Sequence, residues 1–221
     1  MNVIDTSIDN NVKKIVALST DKASDPVNLY GATKLVSDRL FSASTNYISK
    51  QQKTKFSIVR YGNVMGSRGS VIPFFLDQQH KKIFTVTDKD MTRFMIKLED
   101  AVKLVMFAFK DMIGGETYVK KIPSMRVVDI AKSINSMCKV TFTGVRPGEK
   151  IHEQMIGKED ALNTYEYKDF FKIIPTTLNV PKKPYIKKGK KVPKNFIYNS
   201  NLNKEWMSNI QLKKWINENH S

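Results

Sequence analysis

The feature that most limits how this chain can fold is Lys14–Ser19 (KIVALS), a short apolar run with no polar alternation. A strand with one wet face alternates apolar and polar residues. An unbroken run is expected of a strand covered on both faces, as in a parallel sheet. A loop with Pro26 follows. From about Asn28 to Ser49 the period changes: Leu29, Thr33, Val36, Leu40 and Ala43 recur at three and four, which predicts a helix. Phe56–Arg60 (FSIVR) predicts the next strand, and Gly62, Gly66 and Gly69 mark a flexible turn after it.

The alternation continues. A short helix is expected over Ser70–Lys81, with Pro73 tolerated in its first turn, then a strand at Arg93–Lys97. Leu98–Lys110 predicts a helix, with Glu99 and Asp100 suited to its N-terminal dipole and Val102, Val105, Met106 and Phe109 on one face. A strand at Glu116–Val119, a helix at Met125–Met137 capped by Ser124, and a strand at Lys139–Thr143 come next. The first ten residues read as the end of a helix. Beyond Thr164, the aromatic segment Tyr165–Phe171 and a helix around Trp206–Ile216 read as packing elements of a smaller lobe. Strands alternating with helices indicate an α/β fold.

At 221 residues and 41% hydrophobic, the chain can bury a core in one domain or two small ones. No apolar run approaches the roughly 18 residues a membrane span needs, and the first residues have no secretory pattern. A single cysteine, Cys138, excludes an internal disulfide and fits a reducing cytosol; it reads as a small apolar residue rather than a catalytic thiol. The net charge of +16 favours anionic partners. Pro181–Lys194 holds seven lysines and no acid, the pattern of a solvated loop. No aromatic-rich RNA signature or DNA-reading motif accompanies this charge, which argues against nucleic acid as the partner.

Two clusters carry chemistry. Tyr30 and Lys34 are four apart in the predicted helix and so share a face. An ammonium beside a phenol favours the phenolate, and a tyrosine so placed can take a proton from a sugar hydroxyl. Alone, the spacing equally describes a solvated helix pair. Ser19-Thr20-Asp21-Lys22 sits just past the C-terminal end of the buried strand, where open α/β sheets place their ligands. Thr20 can bond a substrate hydroxyl, and Asp21 and Lys22 supply an acid and a base. The plain alternative is a capped turn with a surface ion pair.

Ser19-Thr20-Asp21-Lys22-Ala23 followed by Pro26-Val27-Asn28-Leu29-Tyr30-Gly31-Ala32-Thr33-Lys34 resembles the inverting UDP-N-acetylglucosamine 4,6-dehydratases, extended short-chain dehydrogenases of bacterial sugar pathways. The likeness continues through Arg60–Val71, Met91–Phe94, Lys121–Met125, Arg146–Glu153, Tyr198–Ser200 and Trp206. The resemblance implies an NADP-dependent hydro-lyase, with NAD as the other option, acting on a UDP-sugar in the cytoplasm. Tyr30, with Lys34 and Thr20, would deprotonate the C4 hydroxyl, Lys22 would remove the C5 proton, and Asp21 would protonate the departing C6 hydroxyl. Members that retain configuration carry a glutamate after the aspartate and epimerases lack the pair, so Lys22 implies inversion. Tyr30, Lys34 and Val64, Met65, Gly66, Ser67 and Arg68 would lie at the cofactor. Asn63, Val71, Thr87, Arg93, Arg146 and Glu149 would bind substrate, Arg93 at the pyrophosphate. His152 reads as structural.

The fold implied is the C-terminal part of a Rossmann-type parallel sheet, residues 1–66 and 98–122, with a smaller α+β substrate-binding lobe, residues 67–97 and 123–221. The sequence contains no Gly-x-Gly-x-x-Gly turn for a dinucleotide pyrophosphate. The expectation is therefore an N-terminally truncated dehydratase: a gene fragment, one part of a split enzyme whose separate N-terminal half is its partner, or a pseudoenzyme. The full-length family implies a homo-oligomer. Two alternatives remain open, an epimerase or reductase of the same fold and a non-catalytic binding remnant.

Overall fold

The structure, a computed structural model, describes residues 1–48, 53–175 and 183–219. In chain order the described residues form α1 (Asn2–Asp9), β1 (Lys14–Thr20), α2 (Leu29–Ala43), β2 (Lys55–Tyr61) and β3 (Asn63–Val64). Next are α3 (Val71–Leu76), β4 (Ile83–Val86), β5 (Thr92–Ile96), α4 (Leu98–Asp111), β6 (Thr117–Lys120) and β7 (Ser124–Arg126). Then follow α5 (Val127–Ile134), β8 (Lys139–Phe142), β9 (Gln154–Ile156), α6 (Lys158–Ala161), β10 (Thr164–Glu166) and β11 (Phe170–Ile173). Last are α7 (Lys183–Ile186), β12 (Lys190–Lys191), β13 (Tyr198–Asn199) and α8 (Asn209–Asn219). Among these, no helix is long and apolar enough to cross a membrane.

Contacts divide the chain into two units. The first comprises Met1–Tyr61, Glu99–Lys121 and Gln154–Tyr198. Its sheet has the order β1-β2-β6-β11-β10-β12. β1, β2 and β6 run parallel, and β11 returns antiparallel beside β6. β2 is the fully covered strand, with Phe56, Ile58 and Val59 at most 1% exposed. Its residues alternate between the two faces. Val59 packs with Leu104 and Ala108 of α4 and with Met112 just after it, while Phe56 meets Phe41 of α2 with ring centroids 6.0 Å apart. β1 departs from expectation. It ends the sheet among the described strands, and Leu18 is 57% exposed, because no described neighbour covers its outer side.

The second unit comprises Gly62–Leu98, Ile122–Glu153 and Asn199–Ser221. β3, β5 and β7 form one small sheet, and β4 pairs in parallel with β8. Ile72, Phe75, Phe84, Ile130, Leu212 and Trp215 form its core, with the Phe75 and Phe84 rings stacked at 5.2 Å. The expected boundaries differ from these. Gln154–Tyr198 joins the first unit because β10, β11 and β12 extend the main sheet, and Gly62–Gly66 falls in the second. Tyr165–Phe171, expected as packing of the smaller lobe, thus contributes to β10 and β11 of the main sheet. Ser124 is also not a helix cap: it lies in β7, and α5 starts after Arg126 without a side-chain cap. The helix expected to reach Ser49 stops at Ala43, where a 3-10 turn, Ser44–Asn46, takes over; Ser49 and the lysine-run residues Pro181 and Lys182 lie outside the described residues.

Candidate active site

In the first unit, β1 ends at Thr20 and the chain turns at once into a single 3-10 turn, Asp21–Ala23. The Thr20 hydroxyl donates to Asp21 Oδ1 at 2.9 Å and accepts the Lys22 N–H at 3.4 Å. Lys22 Nζ lies 3.1 Å from the same Oδ1. The Asp21 carboxyl is fully buried, whereas the Lys22 side chain is 35% exposed. Thr20, Asp21 and Lys22 therefore form one cluster, with its carboxylate enclosed and its ammonium open to solvent.

α2 begins where it does because Asn28 caps it, its Oδ1 accepting the Gly31 N–H at 2.9 Å. Gly31 then lets the first turn lie directly on the 3-10 turn. A Cβ there would stand 2.5 Å from the Lys22 carbonyl oxygen and 2.9 Å from Pro26 Cβ. The turn bearing Tyr30 is thereby brought against the backbone of Lys22. Lys34 Nζ is 5.8 Å from the centroid of the Tyr30 ring, and Tyr30 is 54% exposed. The geometry fits the expected phenol–ammonium face and leaves it open to a ligand.

A buried ionic network that the sequence reading missed lies between α2 and the sheet. Asp38 Oδ2 accepts from Ser19 Oγ at 2.7 Å and from Arg60 Nη2 at 3.1 Å. Arg60 Nη1 donates to Met155 O at 2.7 Å and to Asp160 Oδ2 at 2.9 Å. Burial alone would lower the Arg60 pKa, but the carboxylates of Asp160 and Asp38 outweigh it and hold the guanidinium above its ordinary value. Arginine inside the apolar FSIVR run was the available signal, since a buried cation requires carboxylate partners.

The second unit encloses a cavity of about 390 Å³ whose lining includes Asn63, Val71, Thr87, Arg93, Arg146 and Glu149. All six expected substrate contacts are therefore brought together. Among the described residues, Asn63 Oδ1 is buried there without a hydrogen-bond partner, an acceptor that a ligand donor would satisfy. Arg93 is largely committed elsewhere: Nη1 donates to Thr92 O and Ile151 O, and Nη2 to Lys150 O. The Arg146 side chain, among the described residues, pairs with no carboxylate. Its backbone N–H reaches Glu149 Oε2 at 3.4 Å.

Val64–Arg68 also lies in the second unit. Ser67 and Arg68 are exposed, but the Met65 side chain is 4% exposed within the apolar core and its N–H is bonded to Ile96 O. Met65 can thus meet a cofactor only through its carbonyl. His152 Nδ1 lies 2.8 Å from Thr92 Oγ1, which is 2.6 Å from Ser200 Oγ. Burial and the charge of Arg93 push the imidazole pKa below its ordinary value, consistent with a neutral structural histidine. Cys138 is buried in the core, where desolvation pushes its thiol up.

Residues 1–175 match the family model of the polysaccharide biosynthesis proteins. The chain is 47% identical to the inverting UDP-N-acetylglucosamine 4,6-dehydratase of Campylobacter jejuni, over 98% of this chain and 67% of that protein. It is 40% identical to the UDP-glucose 4-epimerase of Rickettsia canadensis, over 78% of this chain and 52% of the relative. The X-ray structure of Pen from Bacillus thuringiensis superposes with a TM-score of 0.82 at 34% identity, covering 98% of this chain and 66% of that one. The chain thus spans about two thirds of the length of the Campylobacter and Bacillus proteins.

Proposed function

Because the chain belongs to the family of polysaccharide biosynthesis proteins, we propose that it carries the acid–base machinery of a UDP-N-acetylglucosamine 4,6-dehydratase that inverts C5. The observation that carries the reading is the Thr20–Asp21–Lys22 cluster, with a buried carboxylate and a solvent-facing ammonium 3.1 Å apart, against which Gly31 lays the Tyr30 turn.

What a bound nicotinamide dinucleotide, NADP in this reading, would supply is reversible hydride transfer with the sugar, and Tyr30 and Lys34 are the residues that would lie against it. Lys34, one turn from Tyr30 on the open face of α2, holds the nicotinamide ribose. Tyr30 takes the proton of the C4 hydroxyl, and Thr20 bonds that hydroxyl. The resulting C4 ketone acidifies the C5 proton, and Lys22 removes it. For this, one proton first passes from Lys22 Nζ to Asp21 Oδ1 across their 3.1 Å contact, leaving a neutral amine to take the C5 proton and a carboxylic acid whose proton goes to the leaving C6 hydroxyl, so water departs. Reprotonation at C5 from the opposite face inverts that centre. Taken by itself, the cavity of the second unit suits an anionic ligand: Arg146 would neutralise phosphate charge, and the Asn63 carbonyl would accept a ligand N–H or O–H.

The test is deuterium incorporation at C5 during turnover of UDP-N-acetylglucosamine in heavy water. Residues 1–221 are joined to the third of the Campylobacter relative that lies outside the match. Lys22→Ala is expected to lower C5 exchange by at least 100-fold, on the scale of a lost general base. Exchange undiminished in that variant would remove Lys22 as the base. The Rickettsia similarity favours a second reading, epimerisation at C4. A C4 epimer whose C5 has kept its original hydrogen would establish that reading instead.

A further inference from the structure

We propose that Ser19, Asp38 and Arg60 are positioning residues, locking the helix that carries Tyr30 and Lys34 to the strand end that carries Thr20, Asp21 and Lys22. The catalytic consequence rests on the dehydratase reading; the clamp itself does not.

Ser19 immediately precedes Thr20 on β1, and Asp38 lies one helical turn beyond Lys34 on α2. Ser19 and Arg60 stand directly opposite one another in the β1–β2 ladder. A single atom, Asp38 Oδ2, receives a donor from each of the two strands, at 2.7 and 3.1 Å. Ser19, Asp38 and Arg60 are only 5%, 6% and 5% exposed, so these bonds are shielded from bulk solvent. The second arm of Arg60 fixes it to Met155 and Asp160.

A buried ion pair is a poor way to gain stability, because desolvating the charges offsets much of their attraction. Apolar residues of equal volume would hold α2 on the sheet as firmly. What they would not supply is direction. Apolar surfaces slide past one another, whereas two hydrogen bonds converging on one oxygen fix position and angle together. Proton transfer from the substrate to two groups on different elements requires that registry. A misplacement of about 1 Å can cost on the order of 100-fold in rate.

Two measurements test the clamp. In the 221-residue chain, Ser19→Ala removes one hydroxyl and leaves the ion pairs intact. Backbone amide exchange across Tyr30–Lys34 is expected to rise about tenfold, with the amides of α4 unchanged, as for a local opening. In the joined enzyme, the same variant should lose about tenfold in kcat with KM changed less than about twofold. The isotope effect from substrate deuterated at C4 should rise, and Ser19→Thr should restore both. Wild-type exchange and wild-type kcat in Ser19→Ala would overturn the proposal. So would a loss of kcat that merely tracks a loss of folded protein and is not rescued by threonine. If the unsubstituted joined enzyme fails to turn over, the dehydratase reading falls, and the exchange measurement still decides the clamp.

Discussion

Asp111 accepts from Lys172, Lys187 and Tyr118 at once, and the Lys172 side chain is 1% exposed. Burial pushes the Asp111 pKa up, but the lysine hydrogen bonds overcome it and bring it to about 2. A carboxylate whose folded pKa is depressed stabilises the fold above its unfolded pKa and loses that contribution as pH falls through the folded value. At pH 7 the contribution is on the order of 2 kcal/mol. Asp111→Asn should therefore be less stable than wild type at pH 7 and nearly equal to it near pH 2, as read by denaturant unfolding at both pH values. An equal gap at the two pH values would remove Asp111 as the titrating group. Gly31 is the other single residue with a clear cost. The carbonyl oxygen that an added Cβ would strike is backbone and can move only with its turn. Gly31→Ala should destabilise by about 1–3 kcal/mol and lower C5 exchange in the joined enzyme. A variant with unchanged melting temperature and exchange would show that α2 does not need the close approach.

Among the elements, α2 matters most, because one helix carries the phenol, the ammonium and the clamp carboxylate. Its start is set locally by Asn28. Asn28→Ala should cost about 1 kcal/mol of stability, measured by denaturant unfolding, while Asn28→Asp, which keeps an acceptor at the cap, should cost little. α5 is held differently. Arg126 offers no side-chain cap, and the helix depends on burying Val127, Ile130 and Ala131. The sequence suggested Ser124 as the cap because serine before an apolar period is a common start signal. Tertiary pairing overrode it: Ser124 sits opposite Phe94 in the β5–β7 pair, and its hydroxyl accepts from Asn203 Nδ2.

At the scale of the whole molecule, the first unit's sheet ends differently on its two sides. β12 is an exposed edge made of Lys190 and Lys191, and charged edges resist pairing with another chain. β1 is the opposite edge among the described strands and exposes Leu18. Beyond Lys14 this edge carries no charge, and a hydrophobic edge is a template for association. Leu18→Lys should raise the concentration at which the 221-residue chain starts to scatter light, and change stability by less than about 1 kcal/mol, as surface substitutions usually do. Onset at the wild-type concentration would mean that association proceeds through another surface. The expected lobe boundary failed at this scale too. Short aromatic segments such as Tyr165–Phe171 do not reveal in sequence whether they complete a large sheet or start a small one.

The sequence by itself determined the strand–helix alternation, the Thr20–Asp21–Lys22 cluster at the end of β1 and the Tyr30–Lys34 face. Each of these is written in local periodicity or in residues adjacent along the chain. Tertiary structure alone decided that Asn63, Val71, Thr87, Arg93, Arg146 and Glu149 share one cavity. It also decided that Met65 is core, that β10, β11 and β12 join the main sheet, and that Asp38 finds Ser19 and Arg60. Those outcomes depend on contacts between residues tens of positions apart, such as the 100 that separate Arg60 from Asp160. A residue's neighbours along the chain carry no record of the partner that folding brings to it.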